Sequence, residues 1–207
     1  MVKYELPPLP YSYNALEPHM DEATLRIHHT RLHQDYTDGL NDALSRINAL
    51  NHKNYIIGIL AELDSVPEHS REQVNFYGGG YENHKFFWES MRPGTASTPK
   101  GRLSDEIVVY FGGFEKFKEK FSQNALDLQG SGWCWMVYNR TYSRLELLTT
   151  TNQTSPHTKR MIPLLGLDMW EHAYYLKYKS DKSSYVRDWW NLVNWPIVEE
   201  RLIRVAT

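Results

Sequence analysis

The sequence predicts an α+β fold: an all-helical N-terminal half, residues 1–92, followed by a half, residues 93–207, that mixes helices with three strands. Three observations predict it. Apolar residues recur at helical spacing in two long N-terminal stretches; a turn-rich break follows at 92–101; after Gly132 the period changes to that of strands.

The first stretch runs from Glu22 to Leu50, with Leu25, His28, Leu32, Tyr36, Leu40, Ala43, Ile47 and Leu50 on one apolar stripe. His28 therefore faces inward. His29 and His33 lie roughly a quarter turn or more from the stripe and are expected to be outer-shell or surface groups. After a polar stretch, Tyr55 to Leu63 reads as a short helix, and Ser70 can cap the next. There Val74, Tyr77, Tyr81, His84, Trp88 and Met91 keep one phase through Gly78, Gly79 and Gly80. Three helical glycines cost about 1 kcal/mol each relative to alanine. That cost favours a loop with the helix starting later, whereas the unbroken phase argues for glycines that let another element, or a metal-bound solvent, approach the backbone closely.

The break from Arg92 to Gly101 carries Pro93, Gly94, Pro99 and Gly101. Beyond it, Ser104 can cap a helix that stops near Gly112 and Gly113, and Phe114, Phe117, Phe121 and Leu128 mark another. Gly132 to Tyr138 and Arg144 to Thr151 read as a hairpin, with Ile162 to Asp168 as a third strand. Helices are expected to close the chain from His172 and from Pro196.

Composition narrows the function classes. A net charge of -2 with intermixed signs gives no footprint for nucleic acid or anionic lipid. No window reaches membrane-spanning length, and the opening residues lack the apolar core of a signal peptide. The single cysteine, Cys134, stands between Trp133 and Trp135 as a small buried residue would. A cytoplasmic location is the expectation.

Asp168 and His172 stand four residues apart, directly after a strand-like run. If Asp168 ends the strand and His172 enters a helical first turn, the two side chains can converge on one ion. With the inward His28 and His84 they make three imidazoles and one carboxylate, a set suited to iron or manganese and too poor in sulfur for a structural zinc site.

Several motifs in the right order carry a resemblance. They are Leu6-Pro7-Pro8-Leu9-Pro10-Tyr11, Ala15 to His19, His28-His29-Thr30, Gly79-Gly80 through Asn83-His84 to Phe87-Trp88, Gly130 to Trp133, Asn152-Gln153 through Ser155-Pro156, and Gly166 to Tyr175. In these the chain resembles the iron/manganese superoxide dismutases, from Leu6 nearly to its end. The resemblance implies a helical hairpin packed on a C-terminal domain of helices around a three-stranded antiparallel sheet. It implies that His28, His84, Asp168 and His172 bind one metal ion, with a water or hydroxide as fifth ligand, and that superoxide is the substrate. Tyr36 matches the gateway tyrosine, Gln153 the outer-shell glutamine of manganese-type members, and Trp133 and Trp170 the aromatic walls of the pocket. Gly80 occupies the position from which iron-type members commonly supply the glutamine, so manganese is favoured, with iron also usable. Glu171 matches the residue that bonds a ligand histidine of the opposite subunit, which implies a homodimer.

The chain departs from the family pattern twice. Leu32 replaces a histidine that hydrogen-bonds a partner tyrosine corresponding to Tyr175. Lys182 stands where an arginine near the funnel mouth is usual, keeping the charge and losing the guanidinium fork. Two rival readings accompany the dismutase: a non-haem iron oxygenase, against which the third histidine counts, and a metal-holding protein of weak catalysis.

Overall fold

The computed structural model describes residues 3–47, 55–94 and 97–206. The Asp21 carboxylate accepts the backbone N–H of Thr24 and so caps α1 (Glu22–Ile27), which passes through a π-helical segment (His28–His33) into α2 (Gln34–Ser45). Of the two places expected for His33, the π segment excludes the surface one. Its wider turns unwind the helix and carry His33 inward, where it is fully buried. His29 is buried as well, because the N-terminal segment covers it: its ring nitrogens meet the Pro7 carbonyl and the Tyr13 hydroxyl. Leu32, expected inward, is only half-buried. The helix ends at Ser45, short of the predicted Leu50: Arg46 and Ile47 leave the helix, and the last three predicted positions, 48–50, lie outside the described residues.

Helix α3 (Ile56–Ala61) and a 3-10 turn (Leu63–Ser65) precede α4 (Glu68–Gln73), which begins earlier than Ser70 suggested. Pro67 sits at the cap, and its carbonyl takes the Ser70 N–H, so Ser70 lies buried in the first turn. The helix continues through a π segment (Val74–Gly78) into α5 (Gly79–Glu89), unbroken across the three glycines. Leu40, Ala43, Ile56, Ile59 and Val74 give this hairpin a core of its own.

Helix α6 (Gly101–Phe111) also starts ahead of its predicted cap, Ser104. Its first N–H groups, on Arg102 and Leu103, donate to the carboxylate of Glu199, a side chain brought in from the last helix. Helix α7 (Phe114–Leu126) leads into β1 (Gly132–Asn139), β2 (Arg144–Thr151) and β3 (Ile162–Asp168), an antiparallel sheet ordered β2-β1-β3. Pro163 lacks an N–H for the ladder and sits on edge strand β3, where the register with β1 shifts.

Strand β1 is buried along its whole length because both faces are covered. Trp133 and Trp135 share one face, stack at 5.1 Å and pack on Phe87 and Phe86 of α5. On the other face the Cys134 thiol meets the Phe121 carbonyl of α7. The larger core therefore joins α5 to the sheet. The helix expected from His172 is a 3-10 turn (Glu171–Ala173), followed by α8 (Tyr175–Tyr178), α9 (Lys182–Trp189) and α10 (Trp195–Val205).

Candidate metal centre

Four elements deliver four side chains to one point. His28 opens the π segment, His84 lies in α5, Asp168 ends β3 opposite Trp133 of β1, and His172 lies in the following 3-10 turn. One ligand atom from each falls within 4.8 Å of the others. The three Nε2 atoms gather around Asp168 Oδ2, at 3.1 Å for His172, 3.2 Å for His28 and 3.6 Å for His84. His28, His84 and Asp168 are sealed from solvent, while His172 is slightly exposed.

Such burial demands partners, and among the described residues three imidazole nitrogens lack them, His28 Nδ1 included. His28 Nε2 and His84 Nε2 have no hydrogen-bond partner among the described residues. Burial above all, then the neighbouring His172, lowers the His28 pKa to about 4 against the opposing pull of Asp168. Burial likewise holds His84 well below its ordinary value. Burial alone raises the Asp168 pKa, but His172 and His28 outweigh it and keep the carboxylate ionised far below the usual range. Neutral imidazoles with unused lone pairs around one carboxylate are the donor set a first-row cation takes, so these residues fit a resident metal.

The surroundings fix the ligands. His84 Nδ1–H donates to the Gly80 carbonyl at 2.6 Å, which leaves the Nε2 lone pair for a metal. The Trp170 N–H holds Asp168 Oδ1 at 2.9 Å, and the buried Tyr185 hydroxyl donates to the Asp168 carbonyl at 2.9 Å. Trp133 stands edge-on to His84, and Trp170 stacks on His172.

Beside the cluster runs a polar chain. Trp133 Nε1–H donates to Gln153 Oε1 at 3.0 Å, and Gln153 Nε2 donates to the Tyr36 hydroxyl at 3.0 Å. An indole nitrogen can only donate, so it dictates which end of the amide faces Tyr36. Burial, and after it the Asp168 charge, raises the Tyr36 pKa and keeps the phenol protonated. Gly80 makes room: a Cβ there would lie 2.4 Å from the Tyr36 ring.

His33 lies further out. Trp88 Nε1–H donates to its Nδ1 at 3.1 Å, and its Nε2–H donates to the Tyr81 carbonyl at 3.0 Å. Lys182 borders an open cleft of ≈ 460 Å³ together with Trp170, Glu171 and His172. Glu171 and Tyr175 are exposed, and Leu32 is half-buried. Sequence reasoning missed Tyr185, which had no spacing signal, and Asn83, whose place directly before His84 was the only hint.

Residues 3–92 match the alpha-hairpin domain of the iron/manganese superoxide dismutases, and residues 99–201 match the C-terminal domain. The chain belongs to that family. It is 46% identical over 192 residues to a protein of Listeria ivanovii named superoxide dismutase [Mn], covering 93% of this chain and 94% of the relative. Proteins of the same name from Listeria innocua and Listeria monocytogenes are 44% and 43% identical, each over 96% of both chains. The hairpin supplies His28 and His84 and the C-terminal domain Asp168 and His172, so the site of this dismutase exists only where its two matched domains meet.

Proposed function

We propose that the chain is a homodimeric, cytoplasmic superoxide dismutase that uses manganese in preference to iron, with His28, His84, Asp168 and His172 as the metal ligands. The observation that carries it is the convergence of three Nε2 atoms on one buried carboxylate, with two of those atoms lacking any other partner among the described residues. A bound ion of this kind supplies one-electron exchange, so that two superoxide anions and two protons become dioxygen and hydrogen peroxide.

The chain's own residues serve charge and protons. The ionised, fully buried Asp168 offsets part of a cation's charge. Tyr36 takes a hydrogen bond from Gln153, so its own O–H is left to donate toward an arriving anion, and burial keeps that proton in place. Trp133 and Trp170 wall the site, and Lys182 gives the cleft a positive charge that attracts an anionic substrate.

Manganese is favoured by Gln153 reaching in from the C-terminal half while residue 80 is glycine, and by the metal in the relatives' names. The exposed Glu171, Tyr175 and Leu176, beside the rim of the cleft, suit a face covered by a second copy of the chain. The lone buried Cys134 suits a reducing compartment. We assign residues 1–92 to the hairpin domain and 93–207 to the C-terminal domain.

Reconstitution of metal-free protein with manganese or iron, with activity counted per bound ion, tests the metal preference. Higher turnover with manganese supports it, and higher turnover with iron rejects it. Sedimentation of the loaded protein as a dimer that Glu171→Ala weakens supports the proposed face. A monomeric loaded protein rejects that face.

A further inference from the structure

Helix α5 presents two adjacent stripes to the C-terminal half. Gly80 and His84, one turn apart, face Tyr36 and the metal cluster. Gly79 and Asn83, also one turn apart, face the main chain of Gln153. Asn83 is 1% exposed, and its Nδ2 donates to the Gln153 carbonyl at 3.0 Å. A Cβ on Gly79 would lie 1.9 Å from that same carbonyl oxygen, so the oxygen rests on bare helix backbone.

Gln153 sits in the turn after β2, which the Thr154 N–H closes on the Thr151 carbonyl at 3.1 Å, leaving the Gln153 carbonyl free of the turn. Its neighbour Asn152 has φ 50°, a left-handed conformation that a non-glycine residue keeps only when surroundings hold it. The holding bonds are Asn152 N–H to the Ser131 carbonyl at 2.8 Å and Trp170 Nε1–H to the Asn152 carbonyl at 3.1 Å. Neither of them grips residue 153. Its main-chain carbonyl is gripped from the other domain, by Asn83.

We propose that Asn83 and Gly79 are positioning residues that dock the Gln153 main chain on α5 and thereby set the reach of its side-chain amide to Tyr36. The inference rests on the proposed role of Gln153 and deepens it. The bare surface at Gly79 sets how closely the carbonyl approaches, and the Asn83 amide sets its place along the helix. An outward shift of the carbonyl would stretch both amide bonds, to Tyr36 and to Trp133, because the main chain carries the side chain with it.

A double-mutant cycle in the metal-loaded protein tests this, reading turnover per bound ion and the reduction potential of the ion. Asn83→Ala should keep the metal, shift the potential and lower turnover by about 10-fold, the lower range for loss of a group supporting a metal site. In a Gln153→Ala background the same change should cost less than about 2-fold, since residues acting in series are not additive. Asn83→Asp, which replaces the donor with an acceptor of the same shape, serves if the alanine variant does not fold. It should behave likewise. An unchanged potential and turnover, or an equal loss with and without Gln153, would overturn the inference. If Gln153→Ala alone changes nothing, the role of Gln153 falls and the positioning goes with it. If Gln153→Ala is damaging and both Asn83 variants are silent, the positioning alone falls.

Discussion

Gln153 donates a hydrogen bond to the Tyr36 hydroxyl at 3.0 Å, although the two residues lie 117 positions apart and belong to different domains. The contact closes a chain from Trp133 on the sheet to the phenol on the hairpin, and each link has a fixed donor. Gln153→Leu keeps the bulk and removes both polar atoms, leaving the Trp133 N–H unpaired. Superoxide turnover per bound ion should fall by about 10-fold to 100-fold while metal content is retained. Wild-type turnover in that variant would show that the chain is dispensable.

Gly80→Ala sets two effects against each other. Alanine favours the helix by about 1 kcal/mol, but its Cβ would fall 2.4 Å from the Tyr36 ring, which is packed against His84. Overpacking of that kind costs about 1–3 kcal/mol, so packing should win. The expected result is a lower melting temperature together with reduced turnover, measured on the same preparation. A more stable and fully active variant would mean that the ring moves aside at no cost.

His33→Leu should be severe for a residue that only stacks on one of the ligands, His84. It would orphan the Trp88 N–H, at about 1–3 kcal/mol, and remove the bond that the Tyr81 carbonyl accepts beside its helical one. His33→Gln offers a donor and an acceptor and should lose less. Urea unfolding of the three proteins gives the ranking, and equal midpoints would contradict it.

Glu82 gives a pH dependence with a definite sign. Burial first, and the nearby Glu89 charge, raise its pKa to about 7 against the lowering effect of Lys85 and Arg201. The unfolded chain releases this proton near 4.5 and the folded chain near 7, so this group costs stability progressively as pH rises from about 4.5 to 7. Glu82→Gln removes the charge. It should stabilise the metal-free protein at pH 8 by up to about 3 kcal/mol and change little at pH 4. Melting temperatures at the two pH values decide the matter, and a variant less stable at pH 8 than the parent would reverse the sign.

Much of this was legible in the sequence because local patterns decide it. The third strand has the predicted bounds, Ile162–Asp168, since an apolar run ending in a carboxylate leaves little choice of register. His28 and His84 declared themselves by helical phase, and Asp168 and His172 by spacing. What escaped depends on distant or irregular features. The π segment altered the phase at His33 without a composition signal. The true cap of α6 is Glu199, nearly a hundred residues away, so the local candidate Ser104 misled. Tyr185 grips Asp168 from α9, a helix that the sequence reading did not anticipate. Long-range contacts of this kind follow only once the domains are packed.

The central claim is that the three-histidine, one-aspartate group holds a redox-active ion that dismutes superoxide. Superoxide consumption per bound ion, measured on the purified manganese-loaded chain beside His84→Ala, tests it most directly. The account predicts one ion per chain with rapid consumption, and loss of both ion and activity in the variant. An ion held at full occupancy with no consumption of superoxide would contradict it.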